Sequence, residues 1–164
     1  MIGIGYQDYK SLYEKNGGEI EGNERFLIYF GRAHVVDHIS NFTARGPLKI
    51  GRGKFATAIM RGRNQPGVDF RIYSELILQS NEDTYLAETI IKDALSHRNI
   101  EMEQNQKELY DISDDELQYV VDTAADIVKS EGYISILEKN HYFKTSTPMI
   151  KEVFRKENTL ESFF

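Results

Sequence analysis

The sequence predicts a mixed α/β domain, and three observations predict it. Residues 25–33 and 68–78 are aromatic and aliphatic runs too short for typical helices, the second with apolar residues on alternate positions, as a strand requires. Residues 83–97 and 117–132 instead repeat apolar side chains at helical spacing. The chain, 164 residues with 40% hydrophobic and 12% aromatic content, is long enough to bury one core.

Composition narrows the chemistry. No cysteine is present, which excludes a disulfide framework, a thiolate nucleophile and a cysteine-based zinc site. The first residues lack a charged segment followed by an apolar run, and no stretch has eighteen consecutive apolar residues. The expectation is a soluble, cytoplasmic protein.

Taken in order, residues 7–15 form a short helix with Tyr9, Leu12 and Tyr13 at helical spacing, stopped by Gly17 and Gly18. Residues 1–24 then serve as an N-terminal cover. Residues 25–33 are a central strand, apolar on both faces and interrupted near the end by Gly31. Residues 34–46 are polar and irregular, too long for a tight hairpin, and read as a loop or small insertion. A brief apolar run from Gly46 ends at Gly51-Arg52-Gly53, where glycines allow a tight loop. Residues 54–62 make a short helix, ended by the turn signal Asn64-Gln65-Pro66-Gly67.

After the strand at 68–78, Ser80 and the acids Glu82 and Asp83 cap the next helix. Its stripe is Leu86, Ala87, Ile90, Ile91, Ala94 and Leu95, and Glu88 sits at the stripe's edge. Ser113 and Glu116 form a capping box for the last long helix, closed by Gly132. Residues 133–143 and 148–156 read as short helices of a C-terminal extension, 133–164.

Charge is distributed unevenly. Between Arg45 and Arg71 seven Lys or Arg stand against one acid, in a chain of formal net charge -6. Between Glu101 and Glu131 ten acids stand against two lysines. Exposed charges act over about a Debye length, roughly 8–10 Å, so the first window attracts polyanions and the second repels them. Arg45, Arg52, Lys54 and Arg63 are the candidate nucleic-acid contacts.

The order of these segments resembles the GIY-YIG nuclease superfamily, in its phage and bacterial branch whose second motif reads Lys-Ile-Gly. Leu27-Ile28-Tyr29 is similar to the first motif, Lys49-Ile50-Gly51 to the second, Arg61 to the helix arginine, and Ala87-Glu88 to the glutamate of the following long helix. Residues 108–113 resemble the stretch that closes the domain in this branch. The first motif lacks its glycine, and Lys49 replaces the tyrosine of the second. The resemblance implies a small, mainly antiparallel three-stranded sheet flanked by helices over residues 25–132. It also implies Mg²⁺-dependent hydrolysis of DNA phosphodiesters, with Mn²⁺ as a substitute. Glu88 would hold the metal, Arg61 a phosphate oxygen, and Tyr29 the attacking water, with Lys49 assisting the proton transfer or contacting phosphate. The alternative is an inactive adaptor on the same fold, and phosphate contacts do not separate DNA from RNA.

Two further features remain. Glu157, Leu160, Phe163 and Phe164 fall on the spacing of sliding-clamp-interacting peptides, which the tail resembles with Glu in place of the usual Gln. Leu160, Phe163 and Phe164 would be the anchors in the clamp's pocket. His34 and His38 can share a helical face and bind a metal, but two imidazoles without a further ligand cluster are more often ordinary surface histidines.

Overall fold

The computed structural model describes residues 3–15, 26–37, 42–53, 66–100 and 108–144. Among them stand helix α1 (Tyr6–Lys15), strands β1 (Phe26–Asp37), β2 (Phe42–Arg45), β3 (Leu48–Gly53) and β4 (Val68–Leu78), helix α2 (Asn81–Ala94), strand β5 (Leu109–Tyr110), helix α3 (Leu117–Gly132) and strand β6 (Ile136–His141). The expected α/β class holds, but the sheet has six strands among the described residues rather than three. Its order is β5-β3-β1-β4-β6, with β2 also on β1, and every pairing is antiparallel.

Both sheet faces are covered. Ile28, Phe30, Leu48, Ile50, Leu76 and Leu78 point to the side where Ala87, Ile91 and Leu95 follow from α2 and Leu117, Val120, Val121, Ala124 and Val128 from α3. Leu27, Tyr29, Phe70, Ile72 and Ile77 point to the opposite side and pack with Tyr9 of α1. The N-terminal helix is thus a cover, as its pattern predicts. Alternation along β1 explains why its sequence is apolar at successive positions.

Ser80 and the Ser113–Glu116 box act as expected. The Ser80 hydroxyl accepts the Asp83 N–H at 3.1 Å, and the Glu116 carboxylate accepts the Ser113 N–H at 3.1 Å. Glu116 also receives both guanidinium nitrogens of Arg98, which ties the end of α2 to the start of α3. Burial works against ionisation of Glu116, yet the Ser113 N–H and Arg98 hold its carboxyl below the ordinary range.

Two expectations need correction. Within the segment expected as a loop or small insertion, 34–46, β1 continues to Asp37 and β2 (Phe42–Arg45) pairs beside it, His34 opposite Arg45. Residues 136–141, expected in a helix, form the edge strand β6 against β4. The C-terminal extension therefore starts inside the sheet. The helices expected at 54–62 and 148–156 lie outside the described residues. Among the described residues no helix is long and apolar enough to cross a membrane.

Candidate functional site

Helical spacing sets Tyr85, Glu88, Thr89 and Lys92 along one side of α2. They line a cavity of about 550 Å³ together with Asp93, Ser96, Asn99 and Tyr110. The end of β3 contributes Arg52, which follows buried Leu48 and Ile50 in alternation and so turns toward α2. Its Nε stands 3.6 Å from Glu88 Oε1, its Nη1 donates to Asn81 Oδ1 at 3.3 Å, and its guanidinium lies 5.1 Å over the Tyr85 ring. Lys92 Nζ stands 3.5 Å from the other Glu88 oxygen.

One carboxylate is therefore set between two cations at the mouth of a cavity. Both distances are longer than a direct charge-assisted hydrogen bond, about 2.7–2.9 Å, so the carboxylate is neutralised without being tightly bound. Beside it, burial, followed by the negative charges of Glu88 and Glu108, raises the Tyr110 hydroxyl far above its usual range. Tyr110 stays protonated at any physiological pH and can only donate or accept a hydrogen bond.

A cation would find two carboxylates in the lining, Glu88 and Asp93, of which Glu88 stands between Arg52 and Lys92. No group of three or more His, Asp or Glu gathers at one place among the described residues. Mg²⁺ nevertheless fits such a site, because it keeps several waters and takes one or two carboxylates plus substrate phosphates. A closed protein cage, as Ca²⁺ or structural Zn²⁺ uses, does not fit.

The other candidates lie elsewhere. Tyr29 is 2% exposed on the α1 face, edge-on to Phe70, with its ring laid over Gly51 so closely that a Cβ there would stand 2.5 Å from the hydroxyl. Alternation sends Lys49 to Tyr29's face, where it is buried and donates to Glu108 at 2.6 Å. The sheet thus brings Arg52 to Glu88 and turns Tyr29 and Lys49 the other way. Arg45 pairs with Asp114, which also accepts from Arg32 at 3.0 Å. Lys54, Arg61, Arg63, Leu160, Phe163 and Phe164 lie outside the described residues.

The chain matches no protein-family model, no curated protein and no solved structure. Its chemistry therefore has to be read from its own residues. His34 is not a surface histidine: it is buried, and its Nε2 shares a 2.6 Å hydrogen bond with the Tyr73 hydroxyl. Burial first, then Arg71 and Arg45, lowers the His34 pKa, and burial pushes the Tyr73 hydroxyl up to about 12. Both groups are neutral at pH 7. His38 lies outside the described residues. Sequence reasoning singled out Glu88 and Arg52 but missed Lys92, Tyr85 and Tyr110. The i,i+4 spacing of Glu88 and Lys92 was the available signal for the first.

Proposed function

We propose that the chain is a Mg²⁺-dependent endonuclease acting on DNA, with its chemistry at the Glu88 cavity. The observation that carries this is the placement of Glu88 between Arg52 and Lys92, one carboxylate for a hard cation beside two donors for a phosphate. When bound at Glu88, the metal would polarise the phosphate and neutralise the departing oxygen. Arg52 binds two non-bridging oxygens through its planar fork, and Lys92 adds a point charge. Water adds across the P–O bond of one strand, leaving one fragment of that strand with a phosphate end and the other with a hydroxyl end. Tyr110 donates its hydroxyl proton as a hydrogen bond.

This departs from the roles implied by the resemblance. Tyr29 packs inside the α1 face and Lys49 is paired with Glu108, so both act here as structural supports of β1 and β3. Arg61, from the family's helix position, would join Arg52 on the phosphate, and Lys54 and Arg63 with Arg45 would track the backbone of DNA or RNA. The tail anchors Leu160, Phe163 and Phe164 would bring the enzyme to DNA through a sliding clamp.

The burial of Tyr29 favours a second reading, a nucleic-acid-binding adaptor that keeps the charges but hydrolyses nothing. Nicking of supercoiled plasmid by the purified chain with Mg²⁺, with Mn²⁺ and with chelator separates the two. The nuclease requires metal-dependent nicking that Glu88→Ala abolishes. Plasmid binding without nicking, by folded protein, establishes the adaptor instead.

A further inference from the structure

Tyr85 is the feature of this cavity that phosphate chemistry leaves unexplained. It sits on α2 one turn before Glu88, 60% exposed, a large aromatic ring left in water at the rim of a charged cleft. Arg52 holds its guanidinium 5.1 Å over that ring while reaching Glu88 and Asn81. The ring is therefore oriented rather than free, and the guanidinium beside it is a second planar surface. Such a pair stacks readily on a flat aromatic ligand.

The space behind it suits the same ligand. At about 550 Å³ the cavity falls within the roughly 300–1,000 Å³ of small-molecule pockets and has room for a nucleobase with its sugar. A duplex with its bases stacked offers such a cleft only phosphates and sugars, and would leave both ring and cavity unused. Asn99 lies in the lining and donates its Nδ2 to Leu109 O at 3.0 Å, which leaves its amide oxygen for a donor such as an exocyclic amine.

We infer that the cavity takes an unpaired nucleobase stacked on Tyr85 and Arg52, so that the strand presented to Glu88 is single-stranded or locally opened. This rests on the nuclease reading and names its substrate class. A base lodged beside Tyr85 sets its own phosphate within one nucleotide of Arg52 and Lys92, which couples base capture to the position of the scissile bond. Stacking tolerates every base, so the preference is for strand state rather than for sequence.

Binding of a fluorescein-labelled 15-residue single strand, its duplex, and the duplex with a three-nucleotide bulge would be measured by anisotropy in chelator, so that cleavage plays no part. The full chain and its Tyr85→Ala and Tyr85→Phe variants are compared, with thermal unfolding as the control for folding. The single strand and the bulge should bind at least about ten-fold tighter than the duplex. Tyr85→Ala should weaken both by about five- to 100-fold, the range for losing one stacked base, while Tyr85→Phe retains them and duplex binding stays unchanged. Equal binding of single strand and duplex, or normal single-strand binding by Tyr85→Ala, overturns the inference and leaves the nuclease reading intact. Failure of the unsubstituted chain to bind any of the three probes overturns both.

Discussion

Arg52 and Glu88 carry opposite charges 3.6 Å apart, and a phosphate approaching them meets attraction from one and repulsion from the other. Without metal the two therefore have opposite effects on DNA binding. Arg52→Ala should weaken binding several-fold and reduce the slope of log K against log salt by about one, the signature of one lost phosphate contact. Glu88→Gln in chelator should bind as tightly as the unsubstituted chain or tighter. A salt titration of both variants checks this, and weaker binding by Glu88→Gln would place the phosphate elsewhere. His34 supports a second test at this scale. Its folded pKa lies below the ordinary 6.5, so the unfolded chain takes up the proton first as pH falls. Stability from this group is full above about pH 6.5 and declines below it, and His34→Asn should flatten that part of the profile in urea unfolding at a series of pH values. Glu88 and Arg52 were legible in the sequence because their charges stood at special places, a stripe edge and a glycine-flanked strand end. Glu75 was not. It lies off the alternate apolar positions of the 68–78 strand and drew no reading, yet it is fully buried, because β4 is covered on both sides.

The single alternating face expected for residues 68–78 fails one scale up, in the ladder between β1 and β4. Phe30 faces Ser74 and Gly31 faces Ile72, so Tyr73 opposes no residue of β1 and the alternation of β4 changes phase there. A bulge leaves no mark in a two-residue period, which is why the strand's extent was legible and its faces were not. Gly31 is what the irregularity needs: a Cβ there would stand 2.5 Å from Arg71 O and 2.8 Å from the Phe70 ring. Backbone cannot yield as a long side chain does. Gly31→Ala should cost about 2–3 kcal/mol in denaturant unfolding, at the upper end of ordinary overpacking, and a loss under about 0.5 kcal/mol would mean that β1 can shift. Strands β2 and β6 were missed for another reason. β2 has four residues and β6, at 136–141, is rich in polar and charged side chains; their strand state comes from pairing with β1 and β4 rather than from their own pattern. The end of α3 shows the same override, since the left-handed cap is Tyr133, with φ 51°, and not the glycine before it.

Over the whole molecule, the two ends of the described chain meet on β4. Gly3 N–H donates to Tyr142 O at 2.7 Å, Ile4 bridges Ile72, and Tyr142 N–H donates to Tyr73 O at 2.8 Å. Glu75 closes this junction from below: Tyr9 of α1 donates to one carboxylate oxygen, and Tyr142 at 2.6 Å and Asn140 Nδ2 at 3.0 Å donate to the other. The two tyrosine rings also meet edge to face, centroids 5.9 Å apart. Such a carboxylate is tolerated in the interior because its oxygens are matched by donors, and hydrogen bonds to a charged group contribute about 1.5–3 kcal/mol each. Tyr9→Phe and Tyr142→Phe keep the rings and remove one hydroxyl apiece, so each should lower unfolding stability by roughly that amount with the denaturant slope unchanged. Because both hydroxyls serve one charge, the double variant should depart from the sum of the singles by at least about 0.5 kcal/mol. Strict additivity would mean that α1 and the segment after β6 dock independently. A measured coupling would make residues 3–15 and 136–142 one cooperative unit with the sheet, on the face opposite the Glu88 cavity.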